Sequence, residues 1–318
     1  MKTRKLGSTG IEVSEIAFGG VEIGIPYGIG VKDEGDMLSE QKAIELLHCA
    51  IDEGVNFFDT ARLYGESERI MGNAFKNRRH EVVLCSKCTH IREGDGRLMA
   101  SPKLKKTIEQ SLQESLKMLQ TDWLDVFMLH QADLEILESD EVAAIMTKFK
   151  ADGLIRATGV SVYVPSETEK AIHSGVWDVI QLPFNLMDQR HKMHFDLATD
   201  KGIAIVIRSV LMKGLLSDRG INLHPALKAV EDFIQNYQQL LNPDALDLPA
   251  LATKFALSFD AVASVLVGID KLEYLYQSLH AANGNALAPE MVNMANDMGF
   301  PDPDFLNLAN WSRMGWLV

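Results

Sequence analysis

Four polar residues, Asp59, Tyr64, Lys87 and His130, have the types and order that proton-transfer chemistry needs. Asp59, Lys87 and His130 each lie at the end of a short apolar run that predicts a β-strand, and Tyr64 lies in the loop after the first run. A carboxylate keeps a neighbouring ammonium charged, and a nearby ammonium favours the ionised form of a phenol. The four groups therefore predict general acid catalysis at one site, provided that the fold brings them together.

The elements that must position these residues are strands that alternate with helices. Strand candidates occupy residues 15–18, 55–58, 82–85, 123–129, 156–161, 179–182, 204–207 and 264–267. Helical patterns, for example over 40–53 and 103–119, separate them. Such strand–helix units predict an α/β fold, a (β/α)₈ TIM barrel in one domain over residues 1–318, preceded by a β-hairpin formed by 4–6 and 11–13. The carboxyl ends of barrel strands face one mouth, so the strand-end residues should converge there.

Three segments are longer than barrel connections require. They are residues 24–38, residues 211–247 with a helical stretch at 225–241, and the C-terminal tail with Trp311 and Trp316. Long loops at the carboxyl ends of strands commonly bind ligands. We expect these segments to shape a substrate pocket, and the tail could cover either the barrel rim or the mouth. Other candidate pocket residues are Glu22, Tyr27 and His90.

The composition narrows the classes of function. The 318 residues are 47% hydrophobic and carry a formal net charge of -13. An acidic protein gains nothing from releasing the counterions of nucleic acid, which argues against binding to DNA or RNA. No apolar run is long enough to span a membrane, and the basic N-terminus lacks the apolar region of a secretory signal. The three cysteines do not form a disulfide framework, which fits a reducing compartment. Together these features predict a cytoplasmic protein.

The same residues carry a resemblance to a known family, the aldo-keto reductases. Residues 54–68, which read Gly-Val-Asn-Phe-Phe-Asp-Thr-Ala-Arg-Leu-Tyr-Gly-Glu-Ser-Glu, closely resemble the first signature of that family. Ser86 and Lys87 resemble the second signature, and residues 128–130 resemble the third. The resemblance extends over nearly the whole chain, from about residue 4 to about residue 282.

The resemblance implies an NAD(P)-dependent oxidoreductase that interconverts aldehydes, ketones or sugars and alcohols by hydride transfer. It implies that Tyr64 is the general acid and base, that Lys87 lowers the pKa of Tyr64, and that Asp59 holds Lys87 in place. His130 would hydrogen-bond the carbonyl oxygen or relay the proton. The bound molecules would be the dinucleotide and a small carbonyl or sugar substrate, with no metal and no flavin.

The resemblance also implies cofactor contacts at the later strand ends. The residues concerned are Ser161, Gln181, Asn185, Arg208, Ser209, Leu211, Gly214, Gly268, Asp270 and Lys271. Ser161 and Gln181 match positions that hydrogen-bond the nicotinamide carboxamide, and the residues after the last two strands match positions that hold the pyrophosphate and the adenosine ribose. The sequence departs from the family pattern where Val162 replaces an asparagine and where Arg208 replaces an aromatic residue that stacks on the nicotinamide.

Two adjacent residues leave the choice between NAD and NADP open. Asp270 occupies a place where basic side chains usually hold the 2′-phosphate of NADP, and a carboxylate favours the 2′-hydroxyl of NAD instead. Lys271 beside it could still attract a phosphate. Asp270 also fits the first turn of a helix, where the helix dipole stabilises a negative charge, so the preference for NAD is slight.

The sequence leaves two other functions open. One is a cofactor-binding regulatory subunit with vestigial reductase activity, which could retain all four candidate residues. The other is an isomerase or aldolase with Lys87 as a Schiff-base nucleophile, which leaves Tyr64 without a role. His191 and His194 lack an acidic or cysteine partner for a metal, and their spacing favours a solvated helix face. The oligomeric state is not indicated.

Overall fold

Ten strands and twelve α-helices are found in the computed structural model, which describes residues 1–31 and 33–317. The strands are β1 (Thr3–Lys5), β2 (Glu12–Ser14), β3 (Ile16–Gly19), β4 (Phe57–Asp59), β5 (Val83–Cys88), β6 (Leu124–Leu129), β7 (Ile155–Ser161), β8 (Val179–Pro183), β9 (Ala204–Arg208) and β10 (Val262–Gly268). The helices are α1 (Glu40–Asp52), α2 (Ser67–Phe75), α3 (Lys103–Met118), α4 (Leu134–Leu137), α5 (Asp140–Ala151), α6 (Pro165–Ser174), α7 (Phe195–Asp200), α8 (Lys228–Gln235), α9 (Leu248–Leu257), α10 (Leu272–Ala281), α11 (Pro289–Asn296) and α12 (Leu308–Arg313).

Strands β3 to β10 form a closed barrel of parallel neighbours, and β10 returns to pair with β3. This confirms the predicted (β/α)₈ barrel. The strand boundaries differ slightly from those predicted, and the largest difference is at β5, which extends to Cys88 and so contains Lys87. In the pairing register Asp59 lies opposite Gly19 on β3 and Cys85 on β5. The strand ends therefore meet at one end of the barrel, as the sequence predicted.

The predicted N-terminal hairpin is formed by β1 and β2, and it closes the other end of the barrel. The backbone N–H of Ser8, in its turn, donates to the carbonyl of Gly202 at 2.8 Å, just before β9 begins. Three apolar residues of the hairpin are buried with the interior residues of the barrel strands: Leu6, Ile11 and Val13. The interior is thus a packed apolar core at this end, which leaves the carboxyl ends of the strands for a site.

The two long loop segments meet across the mouth of the barrel. The backbone N–H of Ile29 donates to the carbonyl of Lys213 at 3.2 Å, and the Arg219 guanidinium donates to the carbonyl of Ile29 at 3.1 Å. Lys32, in the first long segment, lies outside the described residues. The helical stretch predicted at 225–241 is present, with α8 at its centre.

The C-terminal tail packs against the second long segment. Trp311 on α12 is 1% exposed, and its ring centroid lies 5.4 Å from that of Phe305. Trp316 stacks on His224, with the ring centroids 5.9 Å apart. The tail is therefore packed against the 211–247 segment through the contact between Trp316 and His224.

The solvated helix face expected for His191 and His194 is wrong, since both side chains are buried. They belong to a short 3-10 segment, Arg190–His194, that packs against α6. His191 is hydrogen-bonded to Thr168 Oγ1 at 2.8 Å and to the carbonyl of Tyr163 at 3.3 Å, and burial lowers its pKa to about 4. Among the described residues, no group of His, Cys, Asp and Glu could hold a metal ion, and no helix is long and apolar enough to cross a bilayer.

Candidate active site

A cavity of about 580 Å³ lies at the carboxyl ends of the barrel strands, and we name it the mouth cavity. Most of the residues predicted from the sequence line it, namely Asp59, Tyr64, His130, Ser161, Gln181, Arg208, Ser209, Leu211, Gly214, Gly268 and Asp270. Its volume is typical of natural ligand pockets. Trp311 and Trp316 are not among the described residues that line it, so neither tryptophan forms part of the cavity wall.

The floor of the mouth cavity is a buried ion pair between β4 and β5. Lys87 Nζ donates to Asp59 Oδ2 at 2.5 Å and to the carbonyl of Thr60 at 3.0 Å. The other oxygen of Asp59, Oδ1, accepts from Gln181 Nε2 at 2.9 Å. Ser161 on β7 lies opposite Gln181 in the pairing register. We name Asp59, Lys87 and Gln181 the floor cluster, because their side chains tie three strands together beneath the cavity.

The Lys87 ammonium stays charged at neutral pH although it is fully buried. Burial is the largest single influence and favours the neutral amine, but the Asp59 carboxylate, with smaller contributions from Tyr64 and Cys85, outweighs burial and raises the pKa of Lys87 above its ordinary value. The ammonium lies 4.9 Å from the centroid of the Tyr64 ring, whose π electrons attract the cation. A charged lysine is not a nucleophile, so this geometry disfavours the Schiff-base function.

Tyr64 lies half-buried beside the floor cluster, and its phenol is protonated at neutral pH. Burial raises the pKa of Tyr64, and the Lys87 ammonium opposes that rise without cancelling it. The expectation that Lys87 lowers the pKa of Tyr64 is therefore right for that one charge and wrong for the net direction. The physical reason is that removal of water disfavours the phenolate more than one cation at this distance favours it.

His130, the residue after β6, faces Tyr64 edge to face. The two ring centroids are 5.3 Å apart with the planes at 84°, and His90 stacks on His130 at 5.9 Å. Burial lowers the pKa of His130 to about 3, and the charge of Lys87 acts in the same direction. The imidazole is therefore neutral at neutral pH and carries one N–H to donate. Its Nδ1 is buried with no hydrogen-bond partner in the described part of the chain.

Arg208, at the end of β9, is one of three cations among the described residues that line the mouth cavity, with Lys213 and Arg219. Its guanidinium lies 4.2 Å from the centroid of the Tyr163 ring, and Nη2 donates to the carbonyl of Val162 at 2.9 Å. No carboxylate among residues 1–31 and 33–317 pairs with it, and its Nε is buried without a partner there. The wall of the cavity thus contains a planar cation that is held against an aromatic neighbour.

Asn185 and Lys271 do not line the mouth cavity. Asn185 holds its own loop, because Oδ1 accepts the backbone N–H groups of Met187 and Asp188, each at 2.9 Å. Its Nδ2 donates to the carbonyl of Ser209 at 3.3 Å. Asn185 therefore fixes the backbone beside the cavity, and any contact with a cofactor would act through that backbone.

The loop after β9 has a strained backbone. Four of its residues have left-handed φ values: Ser209 (59°), Met212 (49°), Lys213 (60°) and Gly214 (104°). This conformation is costly for residues other than glycine, and it is found where successive backbone amides face a ligand. Of these four residues, only the glycine is a type that indicates a left-handed backbone from the sequence.

Helix α10 contributes cavity residues that the sequence did not single out. Tyr274 and Gln277 line the mouth cavity from one face of α10. Arg219 Nη2 donates to the Tyr274 hydroxyl at 2.9 Å, and Lys271 Nζ lies 5.3 Å from the centroid of the Tyr274 ring. The i, i+3 spacing of Tyr274 and Gln277 is the only signal in the sequence, and it does not tell which face of a helix meets a cavity.

Comparison with known proteins identifies the family to which this chain is related. The model of the Aldo/keto reductase family matches residues 15–298. An uncharacterized oxidoreductase of Bacillus subtilis (strain 168), YqkF, is 29% identical over 309 residues, which cover 92% of this chain and 94% of that protein. The NADH-specific methylglyoxal reductase of Escherichia coli (strain K12) is 28% identical over 316 residues, which cover 90% of this chain and 94% of that protein.

A solved structure is similar over the same length. The holo form of an aldo-keto reductase from Bacillus halodurans has a TM-score of 0.79 at 26% identity, covering 94% of this chain and 96% of that chain. The closed eight-stranded barrel agrees with this likeness. The chain therefore belongs to the aldo/keto reductase family.

Proposed function

We propose that this chain is an NAD(P)-dependent oxidoreductase that interconverts aldehydes, ketones or sugars and alcohols, with Tyr64 as general acid and base. The observation that carries the proposal is a charged Lys87, held by Asp59, beneath a protonated Tyr64. A buried ammonium beside a phenol lowers the cost of forming the phenolate when the proton leaves. This is the electrostatic requirement for a tyrosine that acts as a general acid.

The chain's residues supply the proton chemistry of the reaction. A bound reduced nicotinamide supplies a hydride to the carbonyl carbon. Tyr64 donates its proton to the carbonyl oxygen, and Lys87 stabilises the phenolate that remains. The neutral His130 can donate a hydrogen bond to the same oxygen and so fix its position. The phenolate then regains a proton from solvent, and in the oxidative direction it accepts the proton of the alcohol.

The lining of the mouth cavity fits a dinucleotide. Three of its polar atoms are buried without a hydrogen-bond partner among the described residues: Glu22 Oε2, His130 Nδ1 and Arg208 Nε. Ser161 and Gln181 would hold the nicotinamide carboxamide. The strained loop 209–214, which includes Lys213, would hold the pyrophosphate through backbone amides and positive charge.

Two features near α10 bear on the choice between NAD and NADP. Asp270 lines the mouth cavity and would accept a hydrogen bond from a ribose 2′-hydroxyl. Arg219 and Lys271 each lie 5.3 Å from the centroid of the Tyr274 ring and would attract a 2′-phosphate. We favour NAD(H), because the Asp270 carboxylate would repel a phosphate and because the Escherichia coli relative is named NADH-specific.

Parallel titration with NADH and NADPH, followed by tryptophan fluorescence, tests the cofactor. We expect saturable quenching, at lower concentration with NADH than with NADPH. Turnover is then measured with a panel of aldehydes, ketones and sugars from the absorbance of the reduced nicotinamide. Folded protein that is quenched by neither nucleotide would contradict the proposal.

A cofactor-binding regulatory subunit is the second candidate. A relative from Arabidopsis thaliana, 26% identical over 316 residues, is named a probable voltage-gated potassium channel subunit beta. A regulatory role predicts that the protein binds the reduced nucleotide and that no carbonyl compound of the panel oxidises the bound nucleotide. The titration and the turnover assay therefore separate the two candidates.

A further inference from the structure

Glu22, in the loop after β3, is a residue of the mouth cavity that the proposed reaction does not use. Its carboxyl group lies against the end of β10, and a Cβ on Gly268 would be 1.9 Å from Glu22 Oε1, so a side chain there would displace it. The other oxygen, Oε2, is buried and has no hydrogen-bond partner within residues 1–31 and 33–317. Glu22 thus places one unsatisfied carboxyl oxygen in the wall of the cavity.

The groups around Glu22 favour its neutral form. Burial is the largest cause, and the carboxylates of Asp270, after β10, and Asp59, at the end of β4, act in the same direction. The backbone amide of Glu22 and the guanidinium of Arg219 oppose these effects without balancing them. The pKa of Glu22 is raised to about 8 as a result. At neutral pH most molecules therefore carry a carboxylic acid here, with one O–H to donate.

The remaining titratable groups that face Glu22 are two tyrosines. Tyr27, on the same loop, and Tyr64, after β4, both line the mouth cavity. Burial raises the pKa of each hydroxyl, so both are uncharged at neutral pH. Among the described residues, Arg219 is the cation with the largest effect in favour of the ionised form of Glu22.

We propose that Glu22 binds the dinucleotide as a neutral carboxylic acid, so that binding takes up a proton wherever free Glu22 is ionised. The ligand is the dinucleotide of the proposed function, on which this inference rests. Its pyrophosphate is negatively charged and would join Asp59 and Asp270 in disfavouring an ionised Glu22. The protonated acid instead donates to an acceptor oxygen of the ligand, which gives the buried carboxyl the partner it lacks.

The expected pH dependence follows from this coupling. If only the protonated form of Glu22 binds, the Kd for NADH rises about tenfold for each pH unit above the pKa, which makes binding at pH 9 about tenfold weaker than at pH 7. At pH 8 about half of the free protein is ionised at Glu22, so about half a proton is taken up for each NADH bound. Glu22→Gln cannot ionise, and its Kd should not change across this range.

Isothermal titration calorimetry measures the proton uptake without reference to turnover. NADH is titrated at pH 8 into the full-length protein in two buffers that differ in ionisation enthalpy. At pH 8 the wild type should take up about half a proton for each NADH bound, and Glu22→Gln should take up none. In a separate titration at pH 9, Glu22→Gln should bind NADH about tenfold more tightly than the wild type. Glu273→Gln is the matched control, because it removes an exposed carboxylate from the rim of the same cavity, and it should keep the uptake of the wild type.

Two results would overturn the inference while leaving the proposed function intact. One is NADH binding by the wild type without proton uptake, and the other is equal uptake by the wild type and Glu22→Gln. Absence of binding of both NADH and NADPH at any pH would overturn the proposed function and this inference together. If Glu22→Gln does not fold, Asp270→Asn serves instead, because loss of that carboxylate should move the pH dependence to lower pH.

Discussion

The floor cluster and the wall of the mouth cavity differ in how their polar groups are satisfied. In the floor, Asp59 accepts from Lys87 at 2.5 Å and from Gln181 at 2.9 Å, and the two charges are buried as a pair. In the wall, Glu22 and Arg208 each have a buried polar atom without a partner among the described residues. The floor is therefore complete before any ligand binds, whereas the wall is completed by the ligand.

This difference separates two kinds of mutational effect. A buried ion pair is destabilised strongly when one member is removed, because the other charge is left without compensation. A wall residue without a charged partner leaves no such charge behind. Changes in the floor should act on folding and on the chemical step, and changes in the wall should act on ligand binding.

The largest expected effect is the loss of catalysis in Tyr64→Phe. The phenyl ring keeps the packing against Lys87 and His130 but cannot donate a proton, so kcat should fall roughly a thousandfold. The NADH affinity and the unfolding temperature should stay close to those of the wild type. Steady-state kinetics, nucleotide titration and thermal unfolding measure the three quantities. A kcat near that of the wild type would show that another group donates the proton.

The next largest effect is on stability, in Lys87→Met. Asp59 would remain buried without its cation, so the free energy of unfolding should fall by about 3–5 kcal/mol. Denaturant unfolding monitored by circular dichroism gives this value. The double variant Asp59→Asn, Lys87→Met should recover part of the loss, because no unpaired charge remains. If the double variant is no more stable than Lys87→Met, the charge of Asp59 is not the cause.

Arg208→Met makes the same chemical change in the wall and should cost much less. No carboxylate is left unpaired. The losses are two hydrogen bonds, to the carbonyl of Val162 and to Ser209 Oγ, and the contact with Tyr163, together about 1–2 kcal/mol of unfolding free energy. The same denaturant experiment, run beside Lys87→Met, gives a direct comparison. Equal destabilisation by the two variants would remove the distinction between floor and wall.

The smallest expected effect is that of pH on kcat. Reduction needs a protonated Tyr64, so activity is lost only as pH rises through a pKa that burial has raised above its ordinary value. His130, with its pKa lowered to about 3, stays neutral above that value. At saturating NADH and substrate, kcat should be flat from about pH 5 to pH 9, while the Kd for NADH changes through Glu22. A decrease in kcat around the ordinary pKa of histidine would show that His130 titrates during turnover.

The barrel and most of the candidate site could be predicted from the sequence because both depend on local patterns. Apolar runs that alternate with helical periodicity give the strands, and the polar residues where those runs stop give Asp59 and His130. The sequence predicts that Lys87 follows a strand at 82–85, whereas β5 extends past it to Cys88, so that boundary is wrong. Ser161 and Gln181 depend on the family resemblance, since a serine and a glutamine at strand ends carry no distinctive chemistry by themselves.

Only the tertiary structure decided the charge states and the hydrogen-bond partners. Burial outweighs Lys87 and raises the pKa of Tyr64, and the packing of a 3-10 segment buries two histidines that the sequence placed in solvent. Glu22 meets Gly268 because β10 closes the barrel against β3. The physical reason is common to all three cases: desolvation and pairing depend on groups that are distant in the chain, and a pattern of neighbouring residues does not contain them.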